Sequence, residues 1–115
     1  MHQLDDCLFC RIARGEIPAS KIYEDEEVLA FRDIHPRAPV HFLIIPKKHV
    51  ASLAHAQDED TALLGKMMSL TRVLALQEGC ENGFRVVVNT GRDGGQEIDH
   101  LHIHVLGGPR PWKQF

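Results

Sequence analysis

Apolar side chains recur along this chain with two periods, near 3.6 and near 2, and the switches between them mark out its elements. Leu8, Phe9 and Ile12 share one face of a predicted helix over residues 7–14, capped by Asp5 or Asp6 and stopped by Gly15, with Pro18 barring continuation. Lys21–Glu24 and Val28–Arg32 read as strands on either side of the acidic turn Asp25-Glu26-Glu27. Residues 33–39 form a loop, because Pro36 and Pro39 each remove a donor and restrain the preceding residue. The nearly unbroken apolar run 41–46 suits a central strand, which Pro46 ends.

From 58 to 79, Leu63, Leu64, Met67, Leu70 and Leu74 keep helical spacing, while Asp58, Glu59 and Asp60 place negative charge where a helix dipole favours it. Met68, Val73 and Leu76 widen the apolar surface of this long helix, which implies deeper burial or a partner helix. Residues 84–89 form a further strand, 91–95 a flexible glycine loop and 100–106 the last strand. Five strands, one long helix and one or two short ones predict an α+β domain with a mainly antiparallel sheet.

A length of 115 residues with 43% hydrophobic and 25% charged content fits one domain, 1–115, with no repeat or linker inside it. No apolar run approaches the ~18 residues of a membrane span, and the first residues lack a signal peptide's basic start, so a cytoplasmic protein is expected. A net charge of −3 provides no general pull on nucleic acid or an anionic membrane. Three cysteines do not suit a disulfide framework, whereas Cys7 and Cys10, three apart, would share a helix face and could chelate one ion. Redox chemistry is the rival reading of that pair, but it wants a preceding strand in a βαβ setting.

The unusual feature is the histidine content: eight in all, three of them at 100, 102 and 104. Alternation along a strand puts these three imidazoles on one face, ~6.5–7 Å apart, with Leu101, Ile103 and Val105 facing the core and fixing the register. A polar strand face or a three-histidine metal site would give the same pattern. Gly94-Gly95 before it and Gly107-Gly108 after it favour a phosphate site, since bare amides can approach phosphate oxygens.

These residues resemble the histidine-triad (HIT) superfamily, in particular its nucleoside phosphoramidase branch, whose motif is His-φ-His-φ-His-φ-φ with φ hydrophobic. Residues 100–106 fit at every position, and Gly15-Glu16-Ile17-Pro18-Ala19, Asp33-Ile34, Ala38-Pro39-Val40-His41-Phe42, Ile45-Pro46-Lys47-Lys48-His49 and Gly94-Gly95-Gln96 also look like landmarks of that family. The resemblance implies hydrolysis of a purine nucleoside 5′-monophosphoramidate by way of a covalent nucleotidyl-histidine. It makes His102 the nucleophile, has His41 orient or polarise His102, and has His104 donate to phosphate oxygens. Asn89 and Gln96 become phosphate or 5′-oxygen contacts, assisted by amides near Gly95 and Glu97, so that no magnesium is required. Asp33 falls on the ribose with Ile34 beside it, and Phe9, Ile12 and Phe31 wall a base slot that accepts adenine or guanine. For these apolar residues ordinary core packing is the competing account.

The same likeness completes the cysteine pair with His49 and His100 as a closed, structural zinc site, freeing the second rather than the first triad histidine for attack. It also implies a homodimer with continuous sheets, and a C-terminal tail around Trp112 that could reach a partner's active site. One departure stands out. Glu97 replaces the serine of animal relatives, and a carboxylate there would repel phosphate. It is expected to meet the amine leaving group instead. Two other readings remain: a dinucleoside polyphosphate hydrolase of the same fold, and a zinc-stabilised nucleotide-binding or scaffold protein.

Overall fold

The structure is a computed structural model describing residues 3–114; His2, expected at the surface, and Phe115 of the tail lie outside them. Its elements are α1 (Leu8–Ala13), β1 (Lys21–Glu24), β2 (Val28–Arg32), β3 (Val40–Pro46), α2 (Thr61–Gln77), β4 (Phe84–Val87) and β5 (Ile103–Gly107). The five strands form one sheet in the order β1-β2-β3-β5-β4, every neighbouring pair antiparallel. The α+β class and the mainly antiparallel five-stranded sheet are therefore as expected.

Strand alternation divides the core between the two faces of the sheet. Val28, Ala30, Phe42, Ile44, Ile103 and Val105 pack with Met67, Leu74 and Ala75 of α2. On the opposite face Leu29, Phe31, Leu43 and Ile45 meet Phe9 and Ile12 of α1. Leu43 pairs with His104 and His41 with Leu106, so His41 and His104 are diagonal neighbours on the α1 face.

Three local expectations are corrected. The cap of α1 is Cys7, whose sulfur accepts the Cys10 amide, and not Asp5 or Asp6; Leu8 stays half exposed beside Phe9 and Ile12. Asp58–Asp60 form a separate 3-10 turn ahead of α2, and Asp60 is buried, accepting from the Gln57 amide and pairing with Lys48 at 2.6 Å. The final ladder begins at Ile103 rather than at residue 100. The reason lies in β3: the Pro46 carbonyl is bonded by the His100 ring, and the Leu101 amide donates to Val50 instead.

Met68, Val73 and Leu76 remain exposed on α2. Cys80 is buried beneath Gly107, where an added Cβ would lie 2.3 Å from its sulfur. After Gly108 the chain folds back on itself: the Trp112 indole donates to the Gly108 carbonyl at 3.0 Å, and the Arg110 guanidinium lies 3.7 Å from the Trp112 ring centre. His35 and His55 are exposed, as expected of unassigned surface histidines.

Candidate active site

Although His100 and His102 precede the strand, alternation still holds, and Leu101 and Ile103 point to the α2 side. The three triad imidazoles are all buried, with ring centres of His102 and His104 5.0 Å apart. Phe9 of α1 sets its ring edge-on to both His100 and His102, at 5.8 and 5.2 Å.

Hydrogen bonds assign the protons. His102 Nδ1 lies 2.7 Å from the His100 carbonyl, which can only accept; Nδ1 therefore carries a proton, and in the neutral ring the lone pair is on Nε2. A second chain begins at the Arg37 amide, which donates to His41 Nδ1 at 3.1 Å. With Nδ1 accepting, the ring proton of His41 sits on Nε2, which donates to His104 Nδ1 at 3.0 Å and leaves Nε2 of His104 as an N–H donor. His41 thus acts on His104, not on His102 as the sequence suggested, because the diagonal register brings these two rings together.

Burial holds both rings neutral. It is the main cause lowering the His41 pKa, and it pushes His104 down to about 3 with help from neighbouring His102 and His41. Asp33 Oδ2 lies 3.5 Å from His41 Nε2, while Oδ1 accepts the His35 amide. Asp33, His41 and His104 are close enough to bracket a cation. The Arg37 amide argues against that use, since it fixes a proton on the very nitrogen a metal would need.

Cys7, Cys10, His49 and His100 have ligand atoms all within 4.8 Å of one another. His100 Nδ1 is 3.2 Å from both Cys7 Sγ and His49 Nδ1, and Cys10 Sγ is 3.5 Å from His49 Nδ1. A tetrahedral zinc with ordinary bond lengths separates two nitrogens by ~3.3 Å and a nitrogen from a sulfur by ~3.6 Å. His100 Nε2 donates to the Pro46 carbonyl at 2.8 Å, which turns the Nδ1 lone pair toward the cluster. Donor set and spacing fit zinc, and His100 belongs to this cluster.

Beside His102 and His104 opens a cavity of about 350 Å³. Phe9, Ile12 and Phe31 wall it while also belonging to the core, so both accounts of them hold. Asp33, the highly exposed Ile34, Asn89, Gly95 and Glu97 line it as well. Gln96 does not. Its amide spans the Gly91 N–H and the Ala51 and Ile98 carbonyls, each at 2.8 Å, so both of its donors are used in bracing the loop. The bracing turns residues 95 and 97 to the cavity. Sequence reasoning also passed over Ile17, Pro18 and Ala19, which line the apolar end; their run with Gly15 and Glu16 was the available signal. Arg37 was missed because its contribution is a backbone amide, which carries no residue signature.

Fold and site together define an antiparallel α+β protein with a lone-pair imidazole facing a pocket and a Cys2His2 cluster behind it. The HIT domain family profile matches residues 14–110, and the chain belongs to that family. It is 53% identical over 106 residues to the protein HitA of Neisseria gonorrhoeae, covering 92% of this chain and 99% of that one. It is 47% identical over 112 residues to a 14 kDa zinc-binding protein of Zea mays, covering 94% and 88%. Among solved structures, a HIT family hydrolase from Legionella pneumophila Philadelphia 1 superposes with a TM-score of 0.88 at 51% identity, covering 91% and 95%.

Proposed function

We propose that this protein is a hydrolase that cleaves the P–N bond of purine nucleoside 5′-phosphoramidates. The observation that carries the reading is the His102 Nδ1–H bond to the His100 carbonyl, which leaves Nε2 unprotonated beside the cavity. Nε2 attacks phosphorus, and the amine departs with the electron pair of the P–N bond and takes up a proton from solvent, to which the water that attacks in the next step returns one. Water then attacks the nucleotidyl-histidine; its N–P electron pair returns to Nε2, releasing the nucleoside monophosphate. His104 Nε2–H, held as a donor by His41, stabilises charge on the phosphoryl oxygens, with Asn89 and the Glu97 amide assisting, while the Gly95 N–H is held by the Arg92 carbonyl. This work is done by neutral fixed donors, so magnesium is not required.

The purine lies between Phe9, Ile12 and Phe31, and Asp33 Oδ2 accepts from the ribose hydroxyls. Apolar walls grip either purine without reading its edge. Zinc on Cys7, Cys10, His49 and His100 serves a structural role, pinning α1 to the sheet; the maize relative's description as zinc-binding supports the choice of metal. A homodimer covering Met68, Val73 and Leu76 is part of the same reading, as is a cytoplasmic setting; among the described residues no helix is long and apolar enough to cross a membrane.

The test compares turnover of adenosine 5′-phosphoramidate and diadenosine tetraphosphate by wild type and His102→Ala. Faster phosphoramidate cleavage is expected, falling at least ~1,000-fold in the variant. Preference for the polyphosphate, or full activity without His102, would overturn the proposal.

A further inference from the structure

The His41–His104 pair depends on a proton assignment that the rings do not make for themselves. A neutral imidazole can carry its proton on either nitrogen, and the Arg37 amide, donating to Nδ1 at 3.1 Å, commits His41 to the form that donates toward His104, a form the Asp33 carboxylate 3.5 Å from Nε2 also favours. Residue 37 sits in a loop poor in donors, between Pro36 and Pro39. What holds the other side of that residue is the C-terminal segment: the Lys113 amide donates to the Arg37 carbonyl at 3.0 Å. The root of the segment is seated on the same loop, since an added Cβ at Gly108 would come within 2.7 Å of Pro39 Cβ. Trp112 stiffens the stretch between them through its bond to the Gly108 carbonyl.

We propose that the segment 108–113 is a positioning element for the histidine pair, with the Lys113 N–H as its working group. By fixing the Arg37 carbonyl it keeps the Arg37 amide on His41 Nδ1, and thereby keeps the His104 Nε2 proton directed at the pocket. Without it, His41 samples its other tautomer, His104 takes the proton on Nδ1, and a lone pair replaces the donor facing the substrate. The activity this would modulate is the phosphoramidase reaction proposed above, and the inference rests on that reading for its kinetic arm alone.

Lys113→Pro removes the amide hydrogen, and a chain ended at Trp112 removes the same group should the proline variant fail to fold. For adenosine 5′-phosphoramidate, kcat is expected to fall roughly three- to tenfold with KM unchanged. Lys113→Ala, which keeps the amide, is expected to restore the wild-type value. In a His41→Gln background, removal of the amide should add no further loss. Imidazole nitrogen NMR should show His104 passing from one tautomer to a mixture. An equal loss in both backgrounds, or an unchanged His104 spectrum, would overturn the proposal. If wild type fails to cleave the phosphoramidate, the functional reading fails, and the spectrum still decides this one.

Discussion

Gly94 offers a sharp test of how closely the loop before the triad must be held. An added Cβ there would meet the Thr90 carbonyl oxygen at 2.4 Å and the Thr90 nitrogen at 2.8 Å, both backbone atoms that cannot rotate away. Ordinary contact between carbon and oxygen needs ~3.3 Å or more, so in Gly94→Ala the two backbones must separate by close to ~1 Å. The Gly95 N–H to Arg92 carbonyl bond and the Gln96 brace resist that movement, so the shift passes to Gly95 and to Asn89, one residue before Thr90. A displacement of that size in a phosphoryl-transfer site costs on the order of a hundredfold in rate. Single-turnover cleavage of adenosine 5′-phosphoramidate measures the loss directly. Gly65→Ala provides the control, since its Cβ meets nothing and the residue lies mid-helix in α2; it should gain ~0.5–1 kcal/mol of stability with kinetics unchanged. A Gly94→Ala rate within twofold of wild type would show that the loop does not set the geometry of the site.

Three further outcomes follow from the site. Because His41 and His104 have lowered pKa values in the fold, their contribution is complete above the unfolded value near 6.5 and is lost as pH falls below it, for His104 toward about 3. Each should contribute a slope of up to ~1.4 kcal/mol per pH unit below 6.5; urea midpoints should decline less steeply in a His41→Gln/His104→Gln variant, and equal slopes would contradict the assignment. Protein purified without added metal should contain near-stoichiometric zinc by elemental analysis, and Cys10→Ser should lose both the zinc and thermal stability. Among the described residues the Glu97 carboxylate has no ion-pair partner, so Glu97→Ser should shift preference from amino-acyl toward simple-amine phosphoramidates, and an unchanged ratio would discard a leaving-group role.

What the sequence made legible was whatever is decided locally. The bounds of β1 and β2 were readable because Asp25 makes its own turn, accepting the Glu27 and Val28 amides through one oxygen. The face shared by His102 and His104 was readable because Leu101, Ile103 and Val105 oblige alternation. What escaped was decided by partners distant in sequence. The ladder starts late because a side chain 54 residues away occupies the Pro46 carbonyl. Gln96 looked like a ligand contact until three backbone groups, one of them at Ala51, claimed its amide. The start of α1 was misplaced because nothing in the local pattern says that a cysteine sulfur will displace two aspartates as cap.

Helix α1 has only six residues, yet it stands between the two clusters: Cys7 and Cys10 face the ligand set, and Phe9 and Ile12 face the pocket. Zinc in that ligand set and a base in that pocket, both as proposed above, would bear on the same short turn. Loosening the turn at its cysteines would then slacken the wall that Phe9 and Ile12 present on its other side, so a variant made to weaken the metal cluster should weaken occupancy of the pocket as well.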